Sequence, residues 1–272
     1  MAEKHLIALD LDGTLLTDDK KISENNKRVI QKAREEGHVV MIATGRPFRA
    51  SEMYYHELKL DTPIVNFNGA FIHHPLDEKW GVHHSPLSID VAQDIVEALE
   101  DFKYHNIIAE VIDDVYIHYH DEKLLDIFNM GNPTITTGDL RRFLKASPTS
   151  MLIHTEENDL KNIRHHLSEV HAEVIDHRSW AAPFHVIEIV RYGLNKAVGL
   201  KKAAEHYQIP ADRIIAFGDE DNDLDMLEYA GRGIAMGNAI DDVKTIANDI
   251  TLSNEEDGIG VYLNDLLNLK AL

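Results

Sequence analysis

Four short stretches of this chain hold residue types that can do chemistry together. The first, Leu6 to Leu16, reads LIALDLDGTLL: an apolar run stops at Asp10, and Asp12, Gly13 and Thr14 follow. In extended backbone the two carboxylates share a face. At the C-terminal end of a buried strand, where open α/β sheets bind ligands, two such charges need something positive between them. A hard cation with oxygen ligands, Mg²⁺ above all, meets that need; a simple Asp-Gly turn is the plain alternative. The second stretch, HVVMIA, ends in Thr44-Gly45-Arg46-Pro47, where a hydroxyl and a small residue can receive a phosphate or merely start a helix. Lys196 stands near the start of a helical stretch, and the apolar run RIIAF ends in GDEDND, Gly218 to Asp223.

The informative feature is repetition. Two apolar strands far apart in the chain both end in acidic turns, a third ends in Thr-Gly, and one Lys precedes the second acidic turn. Such a set suits phosphoryl transfer. Asp10 would attack phosphorus and form an aspartyl-phosphate. Asp12 would protonate the leaving alkoxide and then deprotonate the attacking water. Lys196 would neutralise added charge while Thr44 and backbone N–H groups orient the group in line, with Mg²⁺ as cofactor.

These residues need strands to bring them to one edge. Leu6–Leu9, His38–Ala43 and Ile64–Phe67 are short apolar runs, separated by a helix capped at Ser23 and stopped at Gly37 and by a second helix over Phe48–Lys59. This alternation predicts a parallel sheet with right-handed crossovers. From about His83 the pattern changes. An amphipathic helix over Ser88–Phe102 precedes a hairpin, Asn106–Val111 with Val115–His120, and a helix near Glu122–Asn129. A turn-rich stretch, Gly131–Asp139, and a short helical piece near Leu140 come next. Then come strands at Ser150–His154, Ala172–Asp176 and His185–Val190, with a helix over Asn158–Val170. This predicts an α+β insertion at residues 83–187 with one sheet face covered, and linkers near Val82–Pro86 and Val190–Gly193. The first pattern resumes with a helix at Asn195–Tyr207, the strands RIIAF, GIAM and DITL, and a final helix at Ile259–Leu269, so the core spans 1–82 and 188–272.

Composition narrows the function classes. The chain has 272 residues and a net charge of -20, which argues against broad binding of nucleic acid or anionic membrane. It holds no cysteine, which removes disulfides, thiolate catalysis and Cys-zinc sites and permits a cytoplasmic setting. No apolar run approaches a membrane span or a signal h-region. Seventeen histidines invite a metal reading, with His73-His74, His83-His84, His118 and His120 the nearest groupings, but no HExxH or comparable set occurs.

In this order, DLDGT (Asp10 to Thr14), Thr44-Gly45-Arg46, Lys196 and GDEDND resemble the four motifs of the haloacid dehalogenase superfamily of phosphatases. ALDLDGTLL, NGA at Asn68–Ala70 and MGNA at Met236–Ala239 resemble its Cof-type sugar-phosphatase subfamily. The resemblance covers essentially the whole chain. It implies a Rossmann-like, doubly wound α/β core with an inserted α+β cap of type IIB at 83–187. It also implies roles. Asp10 is nucleophile and Mg²⁺ ligand. Asp12 is general acid/base and metal ligand through its carbonyl. Asp219 is the further ligand, and Asp223 lies near the metal or orients Lys196. Leu11 (main chain), Thr44, Gly45, Lys196 and Asn222 are the implied phosphate contacts. The family's Lys-Gly is Lys196-Ala197 here, and Ala, the better helix former, should firm the helix start. The implied activity is Mg²⁺-dependent hydrolysis of a small phosphorylated metabolite, a sugar phosphate first, with other phosphometabolites and a flavin-precursor or cofactor phosphate also open. A sugar phosphomutase, a receiver domain and a non-catalytic phosphate-binding regulator are the alternatives. Asp12, two residues past the nucleophile, and the long insertion argue against a receiver domain.

Overall fold

A computed structural model of the chain describes residues 3–171, 175–180 and 185–272. It divides into two compact units. One comprises Met1–Gly45, Glu52–Val82 and Asn195–Leu272, the other Arg46–Ser51 and His83–Leu194.

In the first unit β1 (Leu6–Leu9) is followed by α1 (Glu24–Glu35), β2 (Val39–Ile42), α2 (Glu52–Glu57), β3 (Ile64–Asn66) and β4 (Phe71–His73). β5 (Val82–His84) leads out of it. All four residues of β1 and of β2 are buried, as continuous apolar runs require of strands covered on both faces. Ser23 caps α1 by accepting a hydrogen bond from the Asn26 N–H. The helix predicted over Phe48–Lys59 is broken: a 3₁₀ turn at Phe48–Ala50 precedes α2, and Ser51 between them leaves helical geometry at φ -123°. The third apolar run also departs from expectation. β3 touches β2 by one parallel bridge, Ala43 to Val65, but its ladder is antiparallel, with β4 (Val65 opposite Ile72).

The second unit holds α3 (Ile89–Ala98), β6 (Asn106–Val111), β7 (Asp114–Ile117), α4 (Glu122–Phe128), β8 (Ile135–Thr137), α5 (Leu140–Phe143), β9 (Ser150–His154), α6 (Glu157–His171), β10 (Ile175–Trp180) and β11 (Val186–Arg191). Its sheet runs in the order β10-β11-β9-β6-β7-β8, antiparallel except for β7 with β8. Side chains alternate across the sheet. Ile107, Ala109, Met151, Ile153, Ile187 and Ile189 pack with Ile95 and Val96 of α3 and Ile163 and Leu167 of α6. Ile108, Val115, Ile117, Leu152 and Val186 form a second cluster with Leu124 of α4, so apolar packing covers part of the face expected to be open. The boundary expected after residue 187 would cut β11, whose Ile189 and Val190 still pair with Met151 and Asp176. Of the strand expected at Ala172–Asp176, residues 172–174 lie outside the described residues.

The first unit then resumes with α7 (Lys196–Tyr207), β12 (Ile214–Gly218), α8 (Leu224–Tyr229), β13 (Arg232–Ala235), α9 (Asp241–Ile246), β14 (Asp249–Ile250) and α10 (Gly258–Leu266). Its five-stranded parallel sheet has the order β14-β13-β12-β1-β2. From β1 the chain moves outward on one side to β2. From β12 it moves outward on the other to β13 and β14. The order therefore reverses between β1 and β12, the place where open α/β sheets form a ligand crevice beyond the strand ends.

Candidate active site

The sheet register explains why distant acidic turns meet. Leu9 lies opposite both Phe217 of β12 and Ile42 of β2, so the residues that leave these three strands emerge side by side. The ladder runs to its last rung: the Asp10 N–H donates to the Phe217 carbonyl at 3.2 Å and the Ala43 N–H to the Leu9 carbonyl at 2.9 Å. α7 supplies the cation. Asn195 caps it, its Oδ1 accepting from the Val198 N–H, and Lys196 becomes the first helical residue, with Ala197 buried behind it.

Lys196 is fully buried, and its Nζ donates to Asp10 Oδ1 at 2.6 Å and Asp223 Oδ1 at 2.7 Å. The other oxygen of Asp223 accepts from the N–H groups of Asp219 and Glu220 at 3.0 and 3.2 Å. Asp223 is thereby committed to holding Lys196 and shaping the acidic turn. Asp219 Oδ1 accepts from the Thr14 hydroxyl at 2.7 Å, tying the first acidic turn to the second. Carboxylate oxygens of Asp10, Asp219 and Asp223 lie within 4.8 Å of one another.

Three carboxylates against one ammonium leave this buried cluster two charges negative when all are ionised. The electrostatics show the strain. Burial pushes the Asp10 carboxyl well above the usual carboxylate range; Lys196 opposes this, and Asp223 and Asp219 add to it. Burial, then the charge of Asp223, pushes Asp219 up to about 7. Burial also disfavours the charge on Lys196, but Asp10 and Asp223 outweigh it and hold the ammonium above its ordinary range. A divalent cation would supply the missing charge, and an all-oxygen donor set is the kind Mg²⁺ takes. No histidine belongs to the metal-capable group found among the described residues.

Asp12 stands apart from that cluster. Its side chain is 43% exposed and paired with Lys20 Nζ at 2.8 Å, a position from which protons can pass to solvent. Leu11 is buried, its carbonyl accepting from the N–H groups of Thr14 and Leu16. Thr44 is buried, and its carbonyl accepts from the Asn68 N–H at 3.1 Å. Gly45 lies against the Asn68 side chain, and Asn222 Nδ2 donates to Asn68 Oδ1 at 3.1 Å. The four charged residues are thus joined directly, and Thr44-Gly45 and Asn222 converge on Asn68.

Two features of the site escape a reading of residue types. Gly13 adopts φ +73°, and a Cβ there would come within 2.1 Å of Asp219 Oδ2. Asn238, in the MGNA stretch, donates from Nδ2 to the Gly13 carbonyl at 2.8 Å, while its Oδ1 accepts from the Asn254 N–H at 3.0 Å. The next residue but one, Ile240, donates its N–H to the Asp219 carbonyl at 3.0 Å, so this stretch braces both acidic turns.

The family model for haloacid dehalogenase-like hydrolases matches residues 7–263. The chain is 60% identical over 265 residues to the 5-amino-6-(5-phospho-D-ribitylamino)uracil phosphatase YitU of Bacillus subtilis, covering 97% of this chain and 98% of the relative. It is 31% identical over 268 residues to the pyridoxal phosphate phosphatase YbhA of Escherichia coli, covering 95% and 97%. Among solved structures, that of TM0651 from Thermotoga maritima superposes with a TM-score of 0.82 at 28% identity, covering 97% of each chain. No helix among the described residues is long and apolar enough to cross a membrane. The chain belongs to the haloacid dehalogenase-like hydrolases and is a phosphoric monoester hydrolase of that family.

Proposed function

We propose that this protein is a Mg²⁺-dependent phosphatase that works through an aspartyl-phosphate on Asp10, with a phosphorylated ribitylaminouracil as its substrate. The observation that carries the chemistry is the buried Lys196, which bridges Asp10 and Asp223. It fixes the Asp10 carboxylate by one oxygen at the strand end and places a permanent positive charge beside it. In the first step a carboxylate oxygen of Asp10 attacks phosphorus, the bond from phosphorus to the ester oxygen breaks, and the Asp12 carboxyl gives its proton to the departing alkoxide. In the second, Asp12 takes a proton from water, the water oxygen attacks the same phosphorus, and the bond to Asp10 breaks to release inorganic phosphate. Mg²⁺, held by Asp10, Asp219 and the Asp12 carbonyl, would supply charge neutralisation for the phosphoryl oxygens and for the carboxylates. Leu11, Thr44, Gly45 and Asn222 would hold the phosphate oxygens.

The substrate assignment rests on the 60% identity to a phosphatase of 5-amino-6-(5-phospho-D-ribitylamino)uracil along nearly the full length of both chains. It narrows the sugar phosphate expected from the sequence to a phosphorylated sugar alcohol joined to a pyrimidine. The test is phosphate release from that compound, pyridoxal phosphate, a panel of sugar phosphates and p-nitrophenyl phosphate, with Mg²⁺ or EDTA. The ribitylaminouracil ester should give the highest kcat/KM, EDTA should stop turnover, and Asp10→Asn should abolish it. Turnover that persists in Asp10→Asn would exclude the aspartyl-phosphate. A sugar phosphate outranking the ribitylaminouracil ester would move the assignment to that class.

A further inference from the structure

The NGA stretch and Phe67 before it form an unusual turn beside the residues read above as phosphate contacts. Phe67, Asn68 and Gly69 hold φ of +48°, +51° and +100° in succession. Left-handed backbone suits Gly and is tolerated by Asn, but a bulky aromatic residue in it is a genuine outlier. Phe67 and Asn68 are both about 1% exposed, so solvent does nothing to ease the turn. Strain of this kind persists where the surroundings over-determine it, and it clusters at functional sites.

What the strained turn accomplishes is visible in its contacts. The Asn68 N–H donates to the Thr44 carbonyl at 3.1 Å. Its side chain lies so close to Gly45 that a Cβ there would stand 3.1 Å from Asn68 Nδ2. Asn68 Oδ1 accepts from Asn222 Nδ2 at 3.1 Å, across 154 residues of sequence. A Cβ at Gly69 would stand 2.3 Å from the carbonyl oxygen of Asn195, the cap residue of the helix that opens with Lys196. One turn therefore touches two separate groups of residues read above as phosphate contacts, Thr44-Gly45 and Asn222, and the cap residue that precedes Lys196.

We propose that Asn68 is a positioning residue for phosphate: the left-handed turn presents its carboxamide so that it orients the Asn222 amide, while its backbone N–H holds the Thr44 carbonyl. With one N–H of Asn222 engaged by Asn68, rotation of that amide is fixed, and its second N–H is directed to a phosphate oxygen. This rests on the reading of Asn222 as a phosphate contact.

The test is a double-mutant cycle. Asn68→Gly keeps the left-handed backbone and removes the carboxamide; Asn68→Ala removes the carboxamide and keeps the strain. KM for p-nitrophenyl phosphate, the inhibition constant of inorganic phosphate and the melting temperature are measured for both variants, for Asn222→Ala and for Asn68→Gly/Asn222→Ala. Loss of one orienting hydrogen bond predicts a rise of about five- to tenfold in KM and in the inhibition constant for both Asn68 variants. Asn68→Gly should melt no lower than wild type and Asn68→Ala several degrees lower. The double variant should bind phosphate no more weakly than Asn222→Ala alone, because the two residues act as one unit. Unchanged constants in Asn68→Gly, or losses that multiply in the double variant, would overturn the proposal while wild-type turnover still upheld the phosphatase reading. A wild type without turnover would overturn both.

Discussion

At the scale of single residues the site is governed by charge balance. Lys196 is the only cation among four buried ionisable groups in direct contact or linked through hydrogen bonds, and it touches two of the three carboxylates. Removing one partner of a buried ion pair leaves its counter-charges stranded, which costs roughly 3–5 kcal/mol. Lys196→Met should therefore lower the unfolding free energy by about that amount in EDTA and abolish turnover; chemical denaturation and the phosphatase assay check the two halves. A variant that lost activity but not stability would show that the ammonium acts on substrate alone. Gly13 gives a second residue-scale prediction. Its φ of +73° and the 2.1 Å approach of a would-be Cβ to Asp219 Oδ2 leave no space for a methyl group. Gly13→Ala should push the Asp219 carboxylate aside and raise the Mg²⁺ concentration for half-maximal activity by roughly tenfold or more, consistent with a metal site losing the support of a ligand. Measuring Mg²⁺ dependence at saturating p-nitrophenyl phosphate separates this effect from substrate binding.

At the scale of elements, Arg49 shows what secondary structure alone does not convey. It lies in the Phe48–Ala50 turn, inside the segment that sequence periodicity assigns to one helix. Its guanidinium pairs with Glu110 of β6, and its N–H donates to Asp113 at 3.1 Å. Both side chains of the pair are nearly solvent-free, and burial raises the Glu110 carboxyl despite Arg49. Arg49→Met should destabilise the protein by about 3–5 kcal/mol, and adding Glu110→Gln should recover part of the loss, because it removes the stranded charge. Thermal melts of the single and double variants decide this; a double variant less stable than Arg49→Met would reject it. No sequence pattern joins residues 61 apart in this way. The strands of the parallel sheet were legible because LIAL, VVMI and IIAF are unbroken apolar runs, and the acidic turns were legible because charge ends each run abruptly. β8 was not, since Ile135-Thr136-Thr137 is three residues long with two hydroxyls and earns its strand state only by pairing with β7. The same holds in the site. Asp10, Lys196 and the acidic turn Gly218 to Asp223 stand out by type and spacing, whereas the choice of Asp219 and Asp223 within that turn comes from the family resemblance. Asn68 and Asn238 act through backbone angle and tertiary distance, neither of which residue type reveals.

At the scale of the whole molecule the buried carboxylates should couple stability to pH and, with the proposed Mg²⁺, to metal. Asp219 titrates near 7 in the folded protein, against 3.8 for an unperturbed carboxyl, and burial moves Asp10 in the same direction. A carboxyl raised on folding means that the folded state holds a proton that the unfolded chain has released. The stability that proton contributes is fully present below the unfolded value of 3.8 and is lost as pH rises through about 7. From this site alone, the protein in EDTA should melt at a lower temperature at about pH 8 than at about pH 6. Mg²⁺ bound at this cluster would take the deprotonated carboxylates, so it would compete with protons at low pH and meet no competition at high pH. Its stabilising effect should accordingly be larger at the higher pH, enough to flatten or reverse the trend seen in EDTA. Melting curves at the two pH values, each with saturating Mg²⁺ and with EDTA, measure the four quantities needed. Replacing Asp219 by Asn should shrink the pH trend in EDTA and the Mg²⁺ effect together, because one carboxyl contributes to both. If Mg²⁺ raised the melting temperature equally at both pH values, the cation would be binding elsewhere on this strongly acidic chain, and the buried cluster would have to be neutralised by protons instead.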